Sequence, residues 1–183
     1  MNNLADDIKS VISSSIADKQ VLDRFLDRLA EGNLTRDENP TSHFCVYFLP
    51  INKESKKIFI VHHKKSGLWL SPGGHIDKDE NLLQILNREI FEELGVKDKI
   101  KSDIRPFFLT ITLINNPPRL CKEHLDIWFS IPMNENEMNI DFSEFHDARW
   151  LTFKETRKLV TDKQNIEAFG KIEQLLINDP SKI

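Results

Sequence analysis

Three glutamates near the middle of the chain have a spacing that brings carboxylates together on a helix. Glu89, Glu92 and Glu93 stand at i, i+3 and i+4 in a segment of helical periodicity, so their side chains share one arc of the helix surface. Like charges at this spacing repel, and the helix dipole disfavours anions near a C-terminus. Because carboxylate oxygens are the ligands that hard divalent ions prefer, the pattern indicates a site for Mg²⁺ or Mn²⁺.

Two glycines, Gly73 and Gly74, precede this helix across a short polar loop. Glycine permits unusual backbone angles and the close approach of a ligand, so a carbonyl group here could reach the metal. The spacing matches neither a Walker A loop nor a dinucleotide-binding glycine loop. Three acids on a helix, taken alone, are more often a solvated face, so the case for a metal site depends on the longer pattern.

That longer pattern, residues 73 to 96, resembles the Nudix box. The box reads Gly, five residues, Glu, seven residues, and then Arg-Glu-aliphatic-any-Glu-Glu-any-Gly-aliphatic. Its positions are filled without departure by Gly74, Glu80, Arg88, Glu89, Ile90, Glu92, Glu93, Gly95 and Val96. At average residue frequencies, a chance match anywhere in the chain is below about one in a million. The chain is therefore identified by resemblance as a Nudix hydrolase.

The resemblance implies hydrolysis of a diphosphate bond in a nucleoside diphosphate linked to another group. It also implies that Glu89, Glu92 and Glu93 hold Mg²⁺ or Mn²⁺, helped by the carbonyl of Gly73. Such an ion neutralises the diphosphate and acidifies the attacking water. The expected partner is thus a small nucleotide-type diphosphate substrate.

Further roles follow from the same resemblance. Arg88 and Glu80 are expected to orient the metal-binding acids. The general base stays open: it is Glu89, Glu93 or a loop glutamate outside the box, for which Glu123 and Glu144 are the candidates.

Four polar side chains are candidates for contacts with substrate. Lys64 lies in a basic cluster, residues 62–65, and His75 directly follows the two glycines. His124 and Asp126 alternate along a predicted strand, so they face the same side of it. A solvated strand end for Lys64, and ordinary surface polarity for His124 and Asp126, are the alternatives that the sequence leaves open.

Hydrophobic periodicity predicts the elements that position these residues. Residues 3–31 are predicted to be helical, with Asp18 as an N-cap and Gly32 as a stop, and residues 32–42 form a turn-rich linker. Strands are predicted at 43–51, 56–63, 67–70, 104–114, 124–131 and 148–151. Helices are predicted from residue 79 or 80 to 94, after a capping box formed by Thr152 and Glu155, and at 164–177.

This order of elements predicts an α/β fold. We expect a Nudix-type α/β/α sandwich with a mixed sheet, preceded by an N-terminal helical extension. Residues 1–40 would form the extension and linker, and residues 41–183 the Nudix hydrolase domain.

Composition limits the other possibilities. A net charge of −4 over 183 residues argues against a nucleic-acid or membrane-surface binder. Cys45 and Cys121 match no metal-binding or redox spacing and are expected to be buried free thiols. The N-terminus has no apolar signal segment and no apolar run is long enough to span a membrane, so a cytoplasmic location is expected.

Two alternative functions remain open at this stage. The chain could remove a 5′ diphosphate from RNA, although it lacks an interleaved Arg/aromatic stripe. It could also be a nucleotide-sensing module without catalysis, although it retains every acid of the box. The oligomeric state, monomer or homodimer, is not determined by these patterns.

Overall fold

The described part of the chain forms a mixed sheet of seven strands with helices on both faces. This computed structural model describes residues 3–15, 17–102, 104–115 and 120–178. The strands are β1 (Ser42–Asn52), β2 (Lys57–His63), β3 (Trp69–Leu70), β4 (Gly73–His75), β5 (Phe108–Leu113), β6 (Glu123–Pro132) and β7 (Phe145–Thr152). The helices are α1 (Leu4–Ser14), α2 (Lys19–Glu31), α3 (Leu82–Leu94), α4 (Phe153–Leu159) and α5 (Lys163–Asn178), with a short 3-10 turn at Glu135–Glu137.

Strand β1 joins the two halves of the sheet. It pairs in parallel with β6 along ten residues, from Ser42 opposite Glu123 to Ile51 opposite Pro132. Its first half also pairs antiparallel with β4, and its last two residues pair with β2. The β1–β2 hairpin is therefore short, because β1 forms most of its ladder with β6, a strand that comes much later in the chain. β2 continues the sheet to β3 and β7, and β5 flanks β6.

Helix α3 begins later than the sequence predicted. Asn81 and Gln84 form a reciprocal capping box, with both side chain–backbone hydrogen bonds 2.9 Å long. The predicted start at Asp79 or Glu80 was wrong, because Asp79 adopts a φ of 68°, outside the range of a right-handed helix. The predicted end is correct: Gly95 takes the left-handed conformation, with a φ of 69°, that closes a helix.

The N-terminal region contains two helices, and Asp18 caps the second one as the sequence predicted. Asn3 and Asp18 cap α1 and α2 through their side chains. The apolar sides of both helices enter the core formed by α3 and one face of the sheet, where Ile8 and Phe25 are fully buried. Helices α4 and α5 cover the opposite face.

Two arginines of α2 form hydrogen bonds that connect this helix to the sheet. Arg28 is fully buried and donates from Nε and Nη2 to the carbonyl of Ser42, at 3.0 and 2.8 Å. Arg24 donates to both carboxylate oxygens of Glu123, at 3.0 and 2.6 Å, and the Ser42 hydroxyl donates to the same carboxylate at 2.7 Å. The division of the chain at residue 40 stays a prediction, but α1 and α2 share one hydrophobic core with the sheet and α3.

None of the helices within the described ranges has the length and apolar character that crossing a membrane requires.

Candidate active site

The buried side of α3 carries two of the three predicted metal-binding acids. Glu89 and Glu93 are only 7% and 8% exposed and share this side with Leu86 and Ile90. Glu92 lies at the rim, with 53% of its side chain exposed. The helix thus places two carboxylates at the inner end of the site and a third toward solvent.

These acids border an open cleft of about 590 Å³, called here the acidic cleft. Glu144, one of the two glutamates proposed as a base, lines the same cleft just before β7. The lining residues are Glu89, Phe91, Glu92, Glu93, Asp141, Ser143, Glu144 and Phe145. Asp141 and Ser143 were not predicted, because nothing in their sequence context indicates that this loop folds over α3.

The two glycines before α3 allow β4 to approach both α3 and β1 closely. Gly73 has a φ of 145°, and its N–H donates to Glu93 Oε2 at 2.9 Å. A Cβ at Gly73 would collide with the carbonyl oxygen of Val46, and a Cβ at Gly74 would collide with the carboxylate of Glu89. The glycine pair therefore gives these buried acids a backbone cradle that side chains would fill.

Arg88 connects the acids to one another. Its guanidinium donates to both oxygens of Glu80, at 2.7 and 3.0 Å, and to Glu89 and Glu92, at 2.9 and 3.0 Å. A fifth bond, 3.1 Å long, runs to the carbonyl of His75. Glu80 also accepts from a backbone N–H of the loop before α3. Arg88 and Glu80 thus hold the acids in place, as outer partners of metal ligands do.

The buried acids carry an electrostatic cost that a cation would remove. Burial raises the pKa of Glu89 to about 7, despite the neighbouring Arg88. Burial, together with the charge of Glu89, also raises the pKa of Glu93 well above its ordinary value. Oxygen donors on a rigid helix beside an open cleft suit a hard divalent ion such as Mg²⁺. The three carboxylates that border the cleft, Glu89, Glu92 and Glu93, therefore fit such an ion chemically.

Two predicted site residues bind other parts of the protein. Glu123 forms the ion pair with Arg24 at the start of β6 and does not line the acidic cleft. Lys64 donates from Nζ to the carbonyls of Phe142 and Ser143, at 2.7 and 3.0 Å. The backbone N–H of Lys64 also donates to the carbonyl of Glu144 at 2.9 Å. Lys64 therefore fastens the loop that carries Glu144.

The remaining candidates lie on the sheet. His75 and His124 are neighbours, with ring centroids 5.0 Å apart, and both lie beside His43. Asp126 is fully buried and accepts hydrogen bonds from the hydroxyls of Thr110 and Thr112, at 3.1 and 2.5 Å. No sequence signal marks His43, which strand pairing alone brings to this place.

Comparison with known proteins agrees with the fold and the site. Residues 41–169 match the NUDIX domain, and the chain therefore belongs to the Nudix hydrolase family. The family's reaction is the hydrolysis of pyrophosphate bonds in nucleotide-linked compounds. The predicted α/β/α sandwich with a mixed sheet is confirmed.

Several curated relatives match at modest identity. An RNA pyrophosphohydrolase of Francisella philomiragia is 25% identical over 114 residues, which cover 56% of this chain and 73% of that protein. The asymmetrical bis(5′-nucleosyl)-tetraphosphatase of Mus musculus is 26% identical over 122 residues, covering 66% and 77%. Nudix hydrolase 6 of Arabidopsis thaliana is 25% identical, and the match spans 45% of its length.

Solved structures share the fold. The dihydroneopterin triphosphate pyrophosphohydrolase of E. coli aligns with a TM-score of 0.58 at 16% identity, covering 74% of this chain and 95% of that one. The NUDIX domain of Shewanella oneidensis NrtR, in complex with ADP ribose, also aligns with a TM-score of 0.58, at 17% identity, covering 73% and 87%.

Proposed function

We propose that the protein hydrolyses the diphosphate bond of a small nucleotide-type compound, using a divalent cation held by the box acids. The observation that carries this proposal is the burial of Glu89 and Glu93 at the inner end of an open cleft of about 590 Å³. This volume lies within the range of small-molecule sites. Two carboxyl groups buried so close together suit the binding of a cation better than a purely structural role.

The metal ligands in this proposal are Glu89, Glu92, Glu93 and the carbonyl of Gly73, and the ion is Mg²⁺ or Mn²⁺. When bound, the ion would neutralise the diphosphate and acidify a water molecule. Arg88 keeps the acids oriented through its hydrogen bonds to Glu89 and Glu92, and its own position is held by Glu80.

Glu144 is the base that we propose. It lines the acidic cleft together with the box acids, and the backbone of Lys64 holds its loop through the hydrogen bond to its carbonyl. Its side chain is 69% exposed, so a proton taken from the attacking water can pass on to solvent. Glu123 is less suited. Burial alone would raise its pKa, but the hydrogen bonds from Arg24 and Ser42 outweigh burial and lower it.

A second candidate function is the removal of a 5′ diphosphate from RNA, favoured by the similarity to a curated RNA pyrophosphohydrolase. The net charge of −4 and the acidic lining of the cleft favour a small substrate instead. A nucleotide sensor without catalysis is a third possibility, but such a module has no need of the complete set of box acids that this chain retains.

The test is a panel of diphosphate compounds incubated with the protein and Mg²⁺ or Mn²⁺, with products followed by mass. The panel contains nucleoside triphosphates (oxidised ones included), nucleotide sugars, ADP-ribose, dinucleoside polyphosphates and 5′-triphosphorylated RNA. Glu92→Gln is the test variant, because this exposed side chain can be changed with little risk to folding. Glu167→Gln, on exposed α5 surface, is the matched control.

Metal-dependent turnover that is lost in Glu92→Gln and kept in Glu167→Gln supports the proposal, and the preferred compound identifies the substrate. Turnover confined to the RNA moves the assignment to the second candidate. Binding of a nucleotide without turnover of any compound overturns catalysis in favour of sensing.

A further inference from the structure

Strand pairing brings four metal-ligating side chains together on the sheet. They are His43 and Cys45 on β1, His75 on β4 and His124 on β6, called here the His/Cys cluster. Their candidate ligand atoms all lie within 4.8 Å of one another. The register explains the arrangement: Cys45 is opposite His75, and His43 is opposite His124. None of these residues lines the acidic cleft.

The three imidazoles have the spacing of metal-bound rings. The ring centroids are 5.0 Å apart for His43 and His75, 4.9 Å for His43 and His124, and 5.0 Å for His75 and His124. Rings bound through nitrogen to one tetrahedral ion have centroids roughly 5 to 5.5 Å apart, given a Zn–N distance of 2.0–2.1 Å. The triangle of rings therefore already has the size that such an ion requires.

His43 has a buried ring nitrogen with a free lone pair. The residue is 1% exposed, and its Nδ1 lies 3.0 Å from the carbonyl oxygen of Asn39. A carbonyl only accepts, so Nδ1 carries the hydrogen and Nε2 carries the lone pair. Nε2 is buried and has no hydrogen-bond partner in the described structure, and the same holds for Nε2 of His124. Metal-binding histidines usually donate their second nitrogen to a carbonyl in this way.

The charges around the cluster also suit a cation. His75 and His124 are half-buried on the sheet, and the neutral imidazole is the form that binds a metal ion. Burial raises the pKa of Cys45, so metal binding must release the thiol proton to solvent as the sulfur–metal bond forms. Asp126, opposite Cys45 in the register, keeps a buried carboxylate oxygen without a partner. A thiolate bound to a divalent ion leaves one positive charge, which this carboxylate can offset.

We propose that the His/Cys cluster binds one transition-metal ion of the zinc class, at a second site distinct from the Mg²⁺ site of the box acids. Nitrogen and sulfur ligands favour zinc-class ions over Mg²⁺, which prefers oxygen. Four protein ligands leave no open position, so the ion would link β1, β4 and β6 rather than activate water. The sequence around Cys45 has no metal-binding spacing. This is consistent with the proposal, because the four ligands come from three different strands.

The first experiment removes metals from the full chain with a chelator and titrates it with Co²⁺. We expect one equivalent to bind, with the intense visible bands of tetrahedral Co²⁺ and the near-ultraviolet band of a cobalt–thiolate bond, and Zn²⁺ should displace it. Weak bands typical of octahedral Co²⁺, or no stoichiometric binding, would overturn the proposal.

Variants locate the ion. Cys45→Ser should abolish the thiolate band, and His124→Asn should weaken binding by more than about 100-fold, beyond the range for outer partners. Cys121→Ser changes the second thiol of the chain, outside the cluster, and should keep the full spectrum. Glu92→Gln should also keep it, which separates this site from the box acids. An unchanged spectrum in both cluster variants contradicts the assignment.

A measurement on the unaltered protein covers the case in which the cluster variants fail to fold. X-ray absorption at the zinc edge should report one sulfur at about 2.3 Å and three nitrogens at about 2.0–2.1 Å. A shell containing only oxygen and nitrogen would overturn the proposal. Because the readouts are spectroscopic, they are independent of whether the enzyme hydrolyses any member of the substrate panel.

Discussion

The buried box acids and the His/Cys cluster both contact strand β4 but differ in how their ligands are brought together. Gly73 and Gly74 contact the buried acids, whereas the ring of the next residue, His75, belongs to the His/Cys cluster. The acids come from one helix and are hard oxygen ligands. The cluster takes nitrogen and sulfur ligands from three strands. One three-residue strand thus separates two ligand sets that prefer different ions.

This difference between a site on one helix and a site across several strands shows which kind of site can be recognised from the sequence alone. Helical spacing of three and four residues places Glu89 and Glu93 together whatever the rest of the fold does. His43 and His124 meet only because β1 and β6 pair in parallel with a particular register. A shift of that register by one residue would send one of the two side chains to the other face of the sheet.

The largest expected effect separates the two sites by function. Glu93→Gln should lower kcat by roughly 10³-fold or more, because it removes a proposed ligand, and even outer partners of a metal are worth 10–100-fold. The glutamine oxygen can still accept the Gly73 N–H, so the backbone is preserved. Steady-state kinetics with Mg²⁺ measures the loss, and the Co²⁺ spectrum of the His/Cys cluster should not change. A kcat within tenfold of the parent enzyme would show that Glu93 is no ligand.

The next effect distinguishes the two loop glutamates. Glu144→Gln should lower kcat by about 10²-fold, at the lower end of the contribution of a general base. Glu123→Gln should leave kcat unchanged and instead lower the free energy of unfolding by about 2 kcal/mol, since Arg24 loses a charged hydrogen-bond partner. The reverse pattern would identify Glu123 as the base.

A smaller effect tests the boundary between the two sites. Gly74→Ala should lower kcat and the Mg²⁺ affinity roughly tenfold, because the added methyl group displaces the Glu89 carboxylate. Gly170→Ala is the matched control: a Cβ there meets nothing within 4 Å, and the helix should gain about 0.5–1 kcal/mol of stability. Activity assays and urea unfolding measure both variants. Full activity in Gly74→Ala would show that the cradle tolerates a side chain.

The smallest expected effect is the pH dependence of the parent protein's free energy of unfolding. Glu89 and His124, one from each site, change this free energy in opposite directions as pH rises. Without metal, the raised pKa of Glu89, about 7 against 4.5, stabilises the fold at low pH and is lost as pH rises between these values. The lowered pKa of His124, about 4 against 6.5, stabilises the fold at high pH and is lost as pH falls between these values. Each contribution is about 3 kcal/mol at most, so their sum should change little between pH 4.5 and 6.5.

Single variants separate the two contributions. In the presence of a chelator, the free energy of unfolding of Glu89→Gln should rise with pH across this range relative to the parent protein. That of His124→Asn should fall. Urea titrations at several pH values measure both slopes, and parallel curves for the two variants would refute the opposition.

Much of the fold and part of the candidate site could be predicted from the sequence. The end of α3 at Gly95 and the capping box at Thr152 follow from local rules, and the structure has both. β4 was not predicted, because a strand that consists of two glycines and a histidine has no hydrophobic alternation. The start of α3 was misplaced because Asp79 fits the composition of a helix start but adopts a left-handed turn. The placement of Glu144 and of His43 depends on tertiary pairing, which no local pattern contains.

The buried Arg28 has a consequence for local unfolding of the protein. Its guanidinium bonds to the first residue of β1, and Arg24 bonds to the first residue of β6. Separating α2 from the sheet would expose Phe25 and leave the Ser42 carbonyl without its two guanidinium donors. Backbone amides of α2 should therefore exchange with deuterium in the same cooperative event as those of β1. A variant that begins at residue 41 would lose Arg24 and Arg28 together. Residues 41–169, which match the family, are therefore not expected to fold independently of α2.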